Sequence, residues 1–299
     1  MRVLLLLVAW LPCWATDPVL RARLHAEARN GARVIPYTSS TRLDVWDALA
    51  VLDSVPGNTN QVRLIYSRAQ LPTATFGATS GWNREHLWPN SYGLDDIEPS
   101  FSDLHNLRAC DANVNSARGN KWYDLSSAAE GGIRAPAHPE APECTADANS
   151  WEPPAHQRGD IARAVFFMAV RYEGDAPNEP DLELVEDVSQ ISATTTLMGR
   201  LSTLLHWNRE DPPDDDERAR DLGVQRLQGN RNPFVSDPGL ANQLWLPTID
   251  VLQTAGGPVF VVEPTDLPVQ VEYSPTPTGP WSPDRPPGAN EAFARIRLL

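Results

Sequence analysis

Asn83-Arg84-Glu85-His86-Leu87-Trp88-Pro89, then Asp103-Leu104-His105-Asn106-Leu107-Arg108-Ala109, then Asn113-Val114-Asn115-Ser116-Ala117-Arg118-Gly119-Asn120-Lys121: the reading of the chain turns on these three segments. Gly81 to Trp88 is rich in strand formers and is stopped by Pro89, since proline cannot continue a ladder. Asp103 to Ala109 alternates polar with apolar residues, the pattern of a half-buried strand. Asp111 is a good N-cap, and Gly119 is placed to end a helix over Ala112 to Gly119. On that helix Asn115 and Arg118 are three residues apart and share a face. The block is therefore a ββα unit offering a histidine, a carboxylate and a carboxamide. Histidine titrates near neutrality and suits a general base, while Glu85 and Asn115 offer the hard oxygens that a Mg²⁺ retaining several waters prefers. Arg84, Arg108 and Arg118 supply planar donor forks for an oxyanion.

Outward from this block, Pro18 to Arg29 reads as a helix, and Thr41 to Leu52 as a second one capped by Ser40 or Thr41. Gln61 to Ser67 has the β-branched and aromatic content of a strand. Gly159 to Tyr172 is apolar almost all round, which marks a buried helix. Ser192 to Trp207 and Glu217 to Leu227 suggest two more, with Asp214-Asp215-Asp216-Glu217 as a solvated loop and helix start. Beyond Gly257, Val259 to Val262, Val269 to Tyr273 and Ala292 to Leu299 are short strand-like runs between proline turns. These readings predict an α+β protein, with a mainly helical body around a small sheet carrying the ββα unit, plus a short C-terminal β appendage. The divisions are a leader over 1–15, a catalytic domain over 16–250 and the β-rich extension over 258–299.

Met1 to Ala15 combines a basic start, a short apolar run and a terminal alanine, the layout of a secretory signal peptide. Pro12 interrupts the run far short of the ~20 apolar residues a membrane span needs. Export leaves Cys110 and Cys144 in an oxidising compartment, where an even count favours a disulfide over two buried thiols. Such a bridge would contribute ~3–4 kcal/mol by chain entropy. The 25 Lys+Arg against 39 Asp+Glu give a net charge of −14, which excludes polyanion binding through a generally basic surface. Any contact with a polyanion must be local.

The motif block resembles the bacterial endonuclease I family of secreted and periplasmic nucleases, which belong to the ββα-metal, His-Me finger group. Val62 to Ser67, Gly159 to Tyr172, Leu204 to Pro212 and Leu227 to Phe234 also look like family segments in the family's order, and the likeness spans roughly residues 18–247. The resemblance implies a secreted or periplasmic, metal-dependent endonuclease. It would hydrolyse phosphodiester bonds of DNA, with RNA open, show little sequence specificity and leave 5′-phosphate ends. It further implies His86 as general base, Glu85 and Asn115 as ligands of Mg²⁺ (Ca²⁺ or Mn²⁺ as alternatives), and a monomer without stable membrane association. Some family members carry a longer insertion that supplies a phosphate-binding arginine. Only 16 residues lie between His86 and Asp103 here, so Arg84 and Arg118 are the expected substitutes, with Arg108 as a third candidate. The competing reading is a secreted binding or adhesive protein on an inactive nuclease-like body. His105 is expected to be a buried hydrogen-bonding residue and not a ligand.

Adjacent strand residues point to opposite faces. Glu85 and His86 are therefore expected to share a site only at a strand end or a bulge.

Overall fold

In the computed structural model the backbone is described for residues 14–96, 99–254, 257–263, 269–274 and 293–298, and side chains for 16–96 and 99–245. The body, Thr16–Leu244, is organised by helices α1 (Pro18–Arg29), α2 (Val45–Leu52), α3 (Ala112–Arg118), α4 (Arg158–Arg171), α5 (Leu201–Glu210) and α6 (Asp215–Gln228). Two short helices, Pro233–Ser236 and Gly239–Leu244, follow.

Helix α4 is central because its sequence leaves it no wet face: every residue from Gly159 to Arg171 is buried. It packs against α1 and α5. Burial of its charges requires partners, and Arg163 has them. Its Nε and Nη2 reach both carboxylate oxygens of Glu217 (2.6 to 3.0 Å), and Nη1 reaches the Asp211 carbonyl at 2.7 Å. Glycine is required at 159, where a Cβ would lie 1.8 Å from that same carbonyl oxygen. Glu217 is thus a buried anchor for α4, whereas Asp214 caps α6 through the Glu217 N–H. The acidic run read as solvated is solvated only in part.

The sheet beneath the motif is small. Strand Trp82–His86 runs antiparallel to Leu107–Asp111 in unbroken register, with Arg84 opposite Ala109, Glu85 opposite Arg108 and His86 opposite Leu107. The Ile65 N–H bonds the Ala109 carbonyl at 2.9 Å on the far edge. Val45, Leu49, Val62, Leu64, Trp82 and Leu107 belong to one buried cluster that seats α2 against this layer. Gly81 sets the entry of the first strand, because any Cβ there would fall 1.8 Å from the Thr75 carbonyl oxygen.

Several boundaries differ from the sequence expectations. Helix α2 starts at Val45 because Asp44 accepts from the Asp47 N–H while Asp47 reaches back to the Asp44 N–H, a reciprocal cap stronger than Ser40 or Thr41 supplies. The strand read over 61–67 is Asn58–Arg63. The second motif strand begins at Leu107, not Asp103. Asp103 instead accepts from the His105 N–H at 2.9 Å and closes a turn. Residues 192–200 are not helical, since Ser192 and Thr195 close a turn on each other and Leu197–Met198 pairs with Glu183–Leu184 as a parallel ladder. Cys110 and Cys144 are free, buried thiols and not a disulfide. Cys144 Sγ lies instead 3.8 Å from the Tyr66 carbonyl oxygen, and burial pushes its thiol up to about 12.

The second unit comprises residues 245–299 with the N-terminal fifteen. In it Trp245–Thr254 pairs antiparallel with Gly257–Glu263, and Val269–Ser274 with Phe293–Leu298. The α+β class holds. Residues 1–13 of the expected leader lie outside the described residues. Among the described residues no helix is long and apolar enough to cross a membrane.

Candidate active site

His86 ends the first motif strand with 8% of its surface exposed. Its Nε2 lies 2.8 Å from the Phe101 carbonyl oxygen. A carbonyl only accepts, so Nε2 carries the ring proton and Nδ1 holds the lone pair. Burial lowers the imidazole pKa to about 4; the Phe101 bond opposes that shift and the nearby Arg84 and Arg118 charges add to it. The ring is therefore neutral across physiological pH, as a base must be. Tyr37 stacks on it at 5.7 Å between centroids, and Phe101 packs at 4.7 Å.

Glu85 faces the other way, 1% exposed. Its Oε1 accepts from the Tyr66 hydroxyl (2.7 Å) and from Arg118 Nη1 (3.1 Å), and Tyr66 in turn touches the Tyr123 hydroxyl at 2.6 Å. Burial raises the Glu85 pKa, with Arg118 and Tyr66 pulling it back. Among the described residues no hydrogen bond engages Oε2. The ladder at 82–86 is regular, so no bulge turns Glu85 toward the imidazole, and the two side chains leave the strand on opposite faces.

Arg118 is 1% exposed, and its Nη1 and Nη2 also donate to the His86 and Leu87 carbonyls at 2.8 and 2.9 Å. The guanidinium lies 4.6 Å above the Tyr123 ring. It is walled off from solvent and braces the strand end from below. Asn115 sits half-buried, one helical turn before it, and donates Nδ2 to the Arg84 carbonyl at 3.1 Å. With Nδ2 so engaged, Oδ1 is the hard-oxygen donor of this side chain, and it accepts no hydrogen bond among the described residues.

Arg84 lies on the His86 side. Its guanidinium is 3.4 Å from the Tyr37 ring centroid and 4.1 Å from that of Trp46. Nη1 donates to the Tyr37 carbonyl and to Thr38 Oγ1, while Nη2 has no hydrogen bond among the described residues. Arg108 is elsewhere: it pairs with Asp160 at 3.6 Å on the wall of a cavity of about 330 Å³ that His86 does not line. Asp160, buried beside Glu217, is pushed up to about 7.

The remaining motif polar residues are structural. His105 is buried against the Phe167 ring at 4.2 Å. Asp103 accepts from Tyr172 (2.7 Å) and Gln228 (2.9 Å) and does not orient His86. The polar 228–234 loop bonds inward, through Gln228 to Leu104, Asn230 to Ala28 and Asn232 to Arg163. Sequence reading missed Tyr66, Tyr123 and Phe101. No local pattern announces a tyrosine that holds a carboxylate 19 residues away and is itself backed by a second tyrosine, and a backbone carbonyl carries no residue signature at all.

The sequence profile described as Endonuclease I matches residues 27–239. Over 212 residues, 70% of each chain, this protein is 41% identical to the extracellular ribonuclease of Bacillus amyloliquefaciens. Over 233 residues it is 39% identical to the extracellular ribonuclease of Bacillus subtilis (strain 168), covering 77% of this chain and 75% of that one. The matched span contains His86, Glu85, Asn115 and the elements that hold them, and the chain belongs to the endonuclease I family.

Proposed function

We propose that this chain is an exported, metal-dependent endonuclease of low sequence specificity that uses His86 as its general base. Family membership makes it a nuclease acting on phosphodiester bonds. The names of the two Bacillus relatives bring RNA in beside DNA, and their description as extracellular supports secretion. The observation that carries the mechanism is the imidazole itself: neutral, with Nε2–H held by the Phe101 carbonyl and Nδ1 left to take a proton.

In this reading Nδ1 removes a proton from water as its oxygen bonds to phosphorus, and the P–O3′ bond breaks to leave a 5′-phosphate. Arg84 Nη2 offers a donor to a phosphoryl oxygen, with Nη1 fixed behind it. Arg118 and Tyr66 position the carboxylate and the strand end without touching substrate. Glu85 Oε2 and Asn115 Oδ1, which accept no hydrogen bond among the described residues, are the hard oxygens that would hold a Mg²⁺. Bound there, the cation would oppose the charge that develops on the phosphoryl oxygens and the leaving alkoxide.

Three variants separate the roles. His86→Ala should lower turnover ~10²- to 10⁴-fold while metal binding persists. Asn115→Ala and Glu85→Ala should raise the Mg²⁺ concentration that half-saturates activity. Wild-type turnover in the first, or an unmoved metal titration in both of the others, would refute the assignment.

A further inference from the structure

A continuous series of ring contacts runs from His86 to the surface. Tyr37 stacks on the imidazole with the ring planes 24° apart, and the Arg84 guanidinium is sandwiched between Tyr37 and Trp46. Trp46 then packs on Phe76 at 5.2 Å, and both lean on the buried Trp82 at 5.3 and 6.3 Å. The series ends in solvent, with Phe76 52% exposed. Single exposed apolar residues are ordinary. Phe76 differs in being the outer end of a stack that reaches the proposed base.

It is also held in place. Phe76 forms a bridge with Trp82, the first residue of the motif strand, and the Gly77 N–H bonds the Trp82 carbonyl at 2.9 Å. The turn that returns the chain is closed by the approach of Gly81 to the Thr75 carbonyl. The exposed ring is therefore anchored to the strand that carries His86, so binding on it costs little ordering. Charge supplies the second argument. A chain of net charge −14 gains little from general attraction to a polyanion, so affinity must come from local contacts, and those that do not depend on charge count for more. Stacking on aromatic rings is such a contact, and it tolerates any sequence because every base has a π face.

We infer that Phe76, backed by Trp46 and Trp82, forms a ledge on which a base of an unpaired nucleic-acid strand stacks at the outer end of the series that starts at His86, so that single strands are the preferred substrate. The inference rests on the nuclease reading above and names the form of its substrate. A paired base keeps its faces inside the duplex and shows only its edges.

The test uses binding, so that catalysis and recognition are read apart. In the His86→Ala protein with Mg²⁺, affinity is measured for a labelled oligothymidylate of about ten nucleotides, within the span typical of single-strand sites. An abasic strand of equal length and charge and a hairpin duplex serve as comparisons. The oligothymidylate should bind most tightly. Adding Phe76→Ala should weaken it roughly 5- to 100-fold and leave the abasic strand unchanged, whereas Phe76→Trp should preserve binding. Should Phe76→Ala impair folding, Phe76→Leu keeps apolar cover on Trp46 without the ring and should show the same selective loss. Equal affinity for base-bearing and abasic strands, equal losses on both, tighter binding of the hairpin, or no binding of the oligothymidylate would overturn the ledge. Cleavage of single- and double-stranded DNA and RNA by the unmutated protein runs beside it. If cleavage occurs without base-dependent binding, the ledge fails and the nuclease reading stands; if no nucleic acid is cleaved, the nuclease reading itself fails.

Discussion

Glu85 and His86 are neighbours in sequence, yet the two sides of their strand follow different rules. On the Glu85 side the polar groups are buried: Arg118, Tyr66 and Tyr123 are all within 1% of full burial and are tied together through Glu85 Oε1 and the Tyr66 hydroxyl, with Arg118 Nε and Glu85 Oε2 left without a hydrogen bond among the described residues. On the His86 side there are rings, one guanidinium and a path to solvent through Phe76. The first arrangement gains strength from a low local dielectric and would fail if any member were removed, because a buried unpaired charge is costly. The second leaves groups unfinished, Nδ1 of His86 and Nη2 of Arg84 among them. One side holds position, and the other retains the donors and acceptors that a substrate can complete.

The contrast can be broken at its strongest point first. Arg118→Met should cost ~3–5 kcal/mol by stranding the Glu85 carboxylate, seen as a lower urea midpoint. A midpoint close to wild type would mean that the buried side bears no such load. Tyr66→Phe removes one bond to the same carboxylate and should cost about 1.5–3 kcal/mol. If Glu85 holds metal, this variant should also raise the half-saturating Mg²⁺ about 10- to 100-fold, as outer partners of ligands do; a stability loss with no metal shift would make Glu85 purely structural. Thr38→Ala makes the matching change on the open side, where Arg84 keeps the Tyr37 carbonyl. It should shift stability by no more than ~1 kcal/mol, and a loss as large as that of Tyr66→Phe would erase the distinction between the sides.

What the sequence made legible follows the range of the interactions. Helix α3 could be read because both its signals are local: Asp111 accepts from Asn113 and Val114, and Gly119 ends the helix. Helix α4 could be read because burial on all sides leaves a compositional trace. The turn at Asp103 to Asn106 was read as strand because its alternation imitates one, while its real bonds run to Trp88, Tyr172 and Gln228. The site was legible as a set of residues but not as an arrangement. That Arg118 faces inward depends on Glu85 and two carbonyls some 30 residues away, and no spacing rule contains that information.

The proton on Nε2 of His86 is fixed by a main-chain oxygen at Phe101, within the helical turn Pro99–Ser102. Every amino acid carries that oxygen, so substitution at 101 leaves the tautomer untouched so long as the turn keeps its shape. The feature is exposed to a different kind of genetic change: adding or deleting a residue between His86 and Phe101 would move the carbonyl and release the constraint on which imidazole nitrogen carries the proton. Drift in side chains along this loop is thus tolerated more readily than drift in its length. A library varied in loop length should lose activity far more often than one varied in residue type.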